Sequence, residues 1–206
     1  MRTSPGETRR TSTGESVANA FYHYRGWVPV LPILAAFVWA DPRRPWWMIG
    51  IGMMVLGEAL RCWGAAHLGI AARSSRPLSH KLVTTGPYAH TRHPLYWGNA
   101  WLTLGFVMAT GAAWPWFMIV VALGFALLYG THARREGRAL AYAFPSEYAD
   151  YRARVPAWGW RFRAAGVTPA GEAVAPSLRG ALRVEVGSIH AELWLLILLW
   201  LRVRLF

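Results

Sequence analysis

The sequence has little cysteine and little negative charge. Cys62 is the single cysteine among 206 residues, which excludes an intramolecular disulfide and a metal site built from several cysteines. Aspartate and glutamate together number 10 against 22 lysines and arginines, so the formal net charge is +12. Such a charge suits either nucleic acid or an anionic membrane leaflet. Because the basic residues flank apolar runs, we assign them to membrane lipids and expect no nucleic-acid partner.

Other patterns are missing as well. The chain has no internal repeat, and no apolar stretch follows the N-terminus closely enough for a cleaved signal peptide. The glycine fingerprint of dinucleotide-binding proteins is absent, which weakens the hypothesis of a nicotinamide-dependent reductase. Histidines are present, but their spacing matches no known metal-ligand pattern, so we expect no metal site. They are His80, His90, His93 and His132.

Long apolar runs dominate what is present. Hydrophobic residues make up 54% of the chain, and tryptophans number 13. Runs of this kind indicate membrane-spanning helices, and tryptophan is typical of their ends. The runs are Trp27 to Ala40, Trp46 to Ala66, Pro94 to Ala113, Trp116 to Thr131 and Ile189 to Leu201. We therefore predict an all-α, polytopic integral membrane protein with four or five transmembrane helices, the last of which spans the bilayer or lies in its interface.

Composition also divides the chain into parts. The predicted parts are a disordered basic tail (1–20), a membrane core (21–163), a linker (164–187) and a C-terminal apolar helix (188–206). Arginines concentrate in the tail, before Arg92 and after Thr131. By the positive-inside rule, the N-terminus and the two segments around these positions lie in the cytoplasm, at the same membrane face.

Two features inside the predicted spans concern helix packing. Glu58 and Arg61 are three residues apart and share one helix face, which favours an internal ion pair over a direct ligand role. The small residues Gly105, Gly111 and Gly124 predict close approach of the two helices joined by the turn at Trp114-Pro115.

One stretch between the apolar runs is polar, basic and aromatic. Gly86-Pro87 predicts a turn within it, and Pro94 suits the first turn of a helix. Arg92 and His93 then stand at that helix start, where backbone N–H groups attract anions. The tyrosines at 88 and 96 add flat faces and hydroxyls. The stretch from His80 to Gly98 therefore predicts a binding site for a small polar ligand at the membrane surface.

A second segment, His132 to Arg154, is charged and helical in pattern, with a break at Pro145. Its apolar-aromatic face consists of Leu140, Phe144, Tyr148 and Tyr151. An amino-acid-like ligand needs an anion site, which Arg92 can provide, and an acceptor for its ammonium, which Glu136 can provide. By charge alone, we favour the simpler interpretation that Glu136 pairs with Arg134, Arg135 or Arg138 on a solvated helix.

These residues together resemble the isoprenylcysteine carboxyl methyltransferase family. The resemblance covers about residues 56 to 160. The matching residues are Leu82 to Tyr88, Arg92 to Gly98, Glu136 with the aromatic face that follows it, and Val155-Pro156. The resemblance implies an integral membrane methyltransferase that uses S-adenosylmethionine, related to phospholipid N-methyltransferases, with a lipophilic substrate that enters from the bilayer.

The resemblance also implies roles for single residues. Arg92 and Glu136 are the expected catalytic residues, and His132 and Arg135 are expected to bind substrate. The expected cofactor-binding residues are His80, Lys81, Leu82, Val83, Tyr88, His93, Pro94, Leu95, Tyr96 and Glu136.

Two positions depart from the family pattern. Gly137 stands where a second glutamate often follows Glu136, and His132 stands where enzymes acting on prenylcysteine carry an arginine. Both bear on the substrate more than on the cofactor. The methyl acceptor is therefore left open between an isoprenylcysteine carboxylate or similar lipid and a phospholipid amine. A non-catalytic membrane protein that keeps the fold is the alternative from another class.

Overall fold

The computed structural model describes residues 30–41, 46–69, 81–171 and 175–205. Helices dominate this part of the chain, as predicted. They are α1 (Val30–Val38), α2 (Trp46–Leu68), α3 (Pro94–Thr110), α4 (Trp116–Ala143), α5 (Pro145–Arg154) and α6 (Leu178–Leu205). Two short strands, β1 (Lys81–Leu82) and β2 (Ala170–Gly171), pair antiparallel, and a 3₁₀ turn covers Gly86–Ala89. The predicted tail, residues 1–20, lies outside the described residues.

Three of the described helices are long and apolar enough to cross a membrane: α2, α4 and the segment Leu178–Arg202 of α6. Helix α3 has 17 residues and packs along α2. The apolar core between these helices contains Ala36, Met54, Phe106, Val121 and Leu199. Large apolar side chains on the outer faces stay exposed, as lipid contact requires. The chain is therefore an all-α, multi-pass membrane protein.

Helices α2 and α3 touch through glycines. A Cβ placed on Gly57 would lie 2.8 Å from the carbonyl oxygen of Gly98, and one placed on Gly105 would lie 2.7 Å from that of Gly50. Real Cβ atoms do not approach backbone so closely, so only glycine permits this contact. Gly105 thus serves the contact with α2 instead of the predicted contact with α4.

The other two glycines predicted to bring helices together do something else. Gly111 ends α3 in the left-handed conformation, with φ of 64°, which glycine adopts at no steric cost. A Cβ on Gly124 would meet no atom within 4 Å. The prediction of a close α3–α4 approach through Gly105, Gly111 and Gly124 was therefore wrong, because the closely packed pair is α2 with α3.

The predicted internal ion pair is confirmed, and Arg61 has more partners than the sequence indicated. Arg61 Nε lies 3.5 Å from Glu58 Oε2, and the same guanidinium donates to Glu185 on α6 and to Asn99 on α3. Helix α6 begins at Leu178, ahead of the predicted start at residue 188, and this extra length carries Glu185. Charges inside a span need such partners, so Arg61 ties three helices together.

Helix α4 continues without a break past Thr131, where the sequence changes character, and ends at Ala143. Phe144 leaves the helical conformation, and Pro145 begins α5, as predicted. Glu136 consequently stands on the same rigid helix that crosses the membrane.

A second layer of chain packs beside the start of α3. Arg92 N–H donates to Pro156 O at 2.9 Å, and Thr84 Oγ1 donates to Val167 O at 2.6 Å. Val167 is buried with Leu82, so the predicted linker is folded at least to β2. These contacts hold the stretch before α3 in one position.

The glycine contact predicts opposite effects for two neighbouring substitutions on α2. Gly50→Ala forces a Cβ onto the backbone of Gly105 and Ala109, which cannot move away without separating the helices. Overpacking of this kind costs about 1–3 kcal/mol, and we expect a lower midpoint of thermal unfolding in detergent.

Gly52→Ala is the control, because its Cβ meets nothing within 4 Å. Alanine stabilises a helix by roughly 0.5–1 kcal/mol relative to glycine, so this midpoint should stay or rise. Equal losses of stability in both variants would contradict the role assigned to the glycine contact.

Candidate functional site

Glu136 meets the start of α3, as the sequence suggested. Its Oε2 lies 3.4 Å from His93 Nδ1 and accepts a hydrogen bond from Tyr96 Oη at 3.1 Å. His93 is the residue before α3, and Tyr96 lies in the first turn of that helix. The two segments around residues 93 and 136 therefore lie at one end of the helices, and their location in the cytoplasm stays a prediction.

Aromatic rings surround this contact. The His93 and Tyr96 rings stack with centroids 5.2 Å apart, and Tyr96 lies 4.7 Å from Tyr129 of α4. Trp158, in the chain after α5, lies 5.7 Å from His93. The rings line the carboxylate side of the site and leave the Glu136 side chain 26% exposed.

Most of the predicted cofactor-binding residues line one small cavity of about 20 Å³. The loop before α3 contributes Lys81, Leu82, Val83 and Tyr88, and His93 and Glu136 complete the polar side. We call this the glutamate cavity. The sequence therefore identified a set of residues that the fold brings together from two segments.

Tyr88 has an unusual position in the glutamate cavity. Its side chain is buried, and among the described residues its hydroxyl has no hydrogen-bond partner. Burial, with smaller contributions from Glu136 and Tyr151, raises the pKa of Tyr88 well above its ordinary value. The group is therefore a neutral phenol that is available to hydrogen-bond a ligand. The neighbouring Tyr151 instead donates to the carbonyl oxygen of Tyr88 at 2.8 Å.

Lys81 has a structural role in the same loop. It is 5% exposed, and its ammonium donates to the carbonyl oxygen of Leu68, the last residue of α2. A cation at this position complements the carbonyl end of a helix. Lys81 thus lines the glutamate cavity and also fixes the loop to α2.

A second cavity, of about 510 Å³, lies beside the first and shares Arg92, His93 and Tyr148 with it. Arg92 Nη1 donates to the Tyr148 hydroxyl at 3.0 Å, which makes this pair part of the wall between the cavities. The other basic residues of the second cavity are Arg134, Arg138 and Arg152. We call it the arginine cavity.

Several predicted site residues lie elsewhere. Leu95 points toward α2, close to Gly64, and Pro94 is buried at the helix start. His132 is buried beside the ring of Tyr129, and neither His132 nor Arg135 lines the two cavities. Their role in substrate binding stays a prediction, and His80 lies outside the described residues.

The structure also adds residues that sequence reasoning missed. Trp158, Arg152 and Tyr148 line the arginine cavity, and Arg134 and Arg138 do so in place of Arg135. The sequence shows that residues 134 and 138 have helical spacing and share one face of α4. Nothing in the sequence indicated that this face lines a cavity. Among the described residues, no group of three histidine, cysteine, aspartate or glutamate side chains is placed to hold a metal ion.

Known proteins are similar to this chain over the segment that contains His93 and Glu136. Residues 48–142 match the sequence model of the isoprenylcysteine carboxyl methyltransferase family. The cobalt-zinc-cadmium resistance protein CzcN of Cupriavidus metallidurans is 39% identical over 111 residues, which are 54% of this chain and 46% of that protein. The nickel-cobalt-cadmium resistance protein NccN of Alcaligenes xylosoxydans xylosoxydans is 38% identical over the same length.

The protein-S-isoprenylcysteine O-methyltransferase of Mus musculus is 31% identical over 125 residues, which are 57% of this chain and 43% of that protein. The chain thus spans less than half the length of these curated relatives. No solved structure gives a significant match. The matched segment contains all of α3 and nearly all of α2 and α4, together with His93 and Glu136. Over residues 48–142, the chain therefore resembles the isoprenylcysteine carboxyl methyltransferase family.

Proposed function

We propose that the protein is a membrane methyltransferase that uses S-adenosylmethionine. The observation that carries this proposal is the glutamate cavity, in which Glu136, His93 and Tyr96 contact one another and a buried Tyr88 hydroxyl has no described partner. The family match over the same residues supports it, as does the name of the mouse relative, an O-methyltransferase.

The chemistry of the glutamate cavity fits such a cofactor. S-adenosylmethionine carries an ammonium, a sulfonium and a flat adenine ring. Glu136 offers a carboxylate to the ammonium, the Tyr88 hydroxyl offers a hydrogen bond, and Leu82 and Leu140 offer apolar surface to the ring. When bound, the cofactor supplies a methyl group that its sulfonium has already activated.

The residues of the chain then have to hold the cofactor, orient the methyl acceptor towards it and exclude water. The rings of His93 and Tyr96 stack beside Glu136, and Trp158 lies next to His93, so the Glu136 side chain is only 26% exposed. Positioning of this kind is the main contribution a protein can make to a displacement on an activated group. A carboxylate acceptor needs no base, whereas an amine acceptor has to lose a proton, which the Glu136 carboxylate can accept.

Binding requires a change in the glutamate cavity. Its volume of about 20 Å³ is far below the roughly 300–1,000 Å³ of ordinary ligand pockets. The wall that can yield is the one shared with the arginine cavity, where Arg92 and Tyr148 are joined by a single hydrogen bond. We therefore expect the Tyr148 side chain to move when the cofactor enters.

The proposed activity has a direct test. We expect purified full-length protein in detergent, given methyl-labelled S-adenosylmethionine and a total membrane lipid extract, to transfer label into the lipid fraction. The chemical stability of the product separates the acceptors, because a methyl ester is cleaved by mild base and a methylamine is not. The Glu136→Gln variant is the control. Folded protein that gives no labelled product and binds no cofactor would contradict the proposal.

Glu136 provides a second test, on binding alone. Glu136→Gln removes the charge that the proposal assigns to the cofactor ammonium. Loss of a charged hydrogen bond costs about 1.5–3 kcal/mol, or roughly tenfold to a hundredfold in affinity. Calorimetric titration with S-adenosylmethionine measures this.

Asp150→Asn is the matched control for this titration, because Asp150 pairs with Arg154 on the exposed side of α5, away from both cavities. We expect its affinity to equal that of the unmodified protein. Equal affinities in all three proteins would return Glu136 to the solvated-helix interpretation.

Tyr88 and Tyr151 predict opposite patterns when each is changed to phenylalanine. Tyr88→Phe removes a hydroxyl that has no partner among the described residues, so stability should hold or rise while cofactor affinity falls by roughly threefold to tenfold, the range for one neutral hydrogen bond. Tyr151→Phe breaks a buried hydrogen bond to Tyr88 O and should lower stability by about 1 kcal/mol. Thermal unfolding and cofactor titration of both variants measure the two quantities. Unchanged cofactor affinity in Tyr88→Phe would remove Tyr88 from the cofactor site.

A further inference from the structure

The arginine cavity is lined by positive charge that nothing described offsets. Arg92, Arg134, Arg138 and Arg152 all reach it, and no described acidic residue lines it. None of the four forms an ion pair with a described carboxylate, in contrast to Arg61 and Arg154, which do. The Nε of Arg92 is buried and has no hydrogen-bond partner among the described residues.

The crowding of these arginines has a cost. Arg134 and Arg138 are four residues apart on one face of α4, where like charges repel each other. Arg92 and Arg152 come to the same space from other segments. A bound anion with several oxygens would satisfy all four, and phosphate suits the forked guanidinium group well.

The floor of the arginine cavity is made of small residues on α4. Gly130, Ala133, Gly137 and Ala141 recur at spacings of three and four, which leaves space above one helix face. A Cβ on Gly137 would lie 2.7 Å from the Tyr148 hydroxyl. Glycine at 137 therefore leaves room for Tyr148 to hold Arg92 at the cavity wall.

The same face of α4 continues into the membrane as an apolar strip. Val120, Leu123 and Leu127 precede Gly130 at spacings of three and four and are 64%, 65% and 70% exposed. They lie in the span that is long and apolar enough to cross a bilayer. A molecule with its charged end in the arginine cavity can therefore lay an acyl chain along α4.

We propose that the arginine cavity binds the phosphate group of a membrane lipid, whose acyl chain lies on Val120, Leu123 and Leu127. The cavity shares Arg92, His93 and Tyr148 with the glutamate cavity, so the bound headgroup lies beside the cofactor position. That the lipid is the methyl acceptor rests on the proposed function. Binding of the lipid does not rest on the proposed function, and this binding is tested without cofactor.

The experiment measures binding of lysophosphatidic acid to purified full-length protein in uncharged detergent. Monoacylglycerol of the same chain length lacks the phosphate, and glycerol phosphate lacks the chain. We expect lysophosphatidic acid to bind more tightly than either. The double variant Arg134→Gln/Arg138→Gln should weaken its binding by about tenfold to a hundredfold, since two charged contacts are lost. Leu127→Asn should weaken it without changing the response to glycerol phosphate.

The matched control is Arg163→Gln/Arg179→Gln, which removes the same charge from exposed positions outside the cavity. Equal losses in the two double variants would overturn the site in favour of general attraction between a basic surface and anionic lipid. Equal binding of glycerol phosphate and lysophosphatidic acid would overturn the lipid assignment. Thermal unfolding shows that each variant is folded. If lysophosphatidic acid binds as expected while S-adenosylmethionine does not bind at all, the proposed function fails and the lipid site stands.

Discussion

The backbone contact between α2 and α3 is the constraint on which the rest of the structure depends. Gly50, Gly57, Gly98 and Gly105 let the two helices approach until carbonyl oxygens face bare Cα atoms. In a membrane, where lipid is as apolar as a helix surface, such close packing supplies much of the attraction between helices. It also fixes the start of α3, and with it the position of His93 opposite Glu136.

A polar chain leads from this contact to the site. Arg61 donates to Asn99 of α3, and Asn99 donates to the Tyr129 hydroxyl at 3.1 Å. The Tyr129 ring packs against Tyr96, which donates to Glu136. Hydrogen bonds thus offset the free-energy cost of burying the Arg61 charge in the membrane. The same hydrogen bonds align the residues around Glu136. One network orders both the helices and the candidate site.

The two cavities at the end of these helices differ in charge and share a wall. The glutamate cavity is lined by the Glu136 carboxylate, by Lys81 and by a phenol, that of Tyr88, with no partner among the described residues, whereas the arginine cavity adds Arg134, Arg138 and Arg152 to the shared Arg92. The Glu136 carboxylate lies on one side of the shared wall and three further arginines lie on the other, which suits two different ligands held next to each other. A transferase has to bring two ligands together in this way, so the electrostatic division agrees with the proposed activity.

The sequence by itself determined the membrane class, most helix positions and the pairing of the His93 and Glu136 segments, because apolar runs, helix-starting prolines and a family motif are local signals. Only the tertiary structure decided the rest. In the structure, Gly105 faces α2, and Arg61 has a partner on α6. Arg134 and Arg138 line the arginine cavity, whereas Arg135 does not, and Trp158 lines the same cavity. These outcomes depend on which helix faces meet in space. A helical sequence fixes the spacing of side chains around its axis, whereas the rotation of that axis is set by packing against residues far away in the chain.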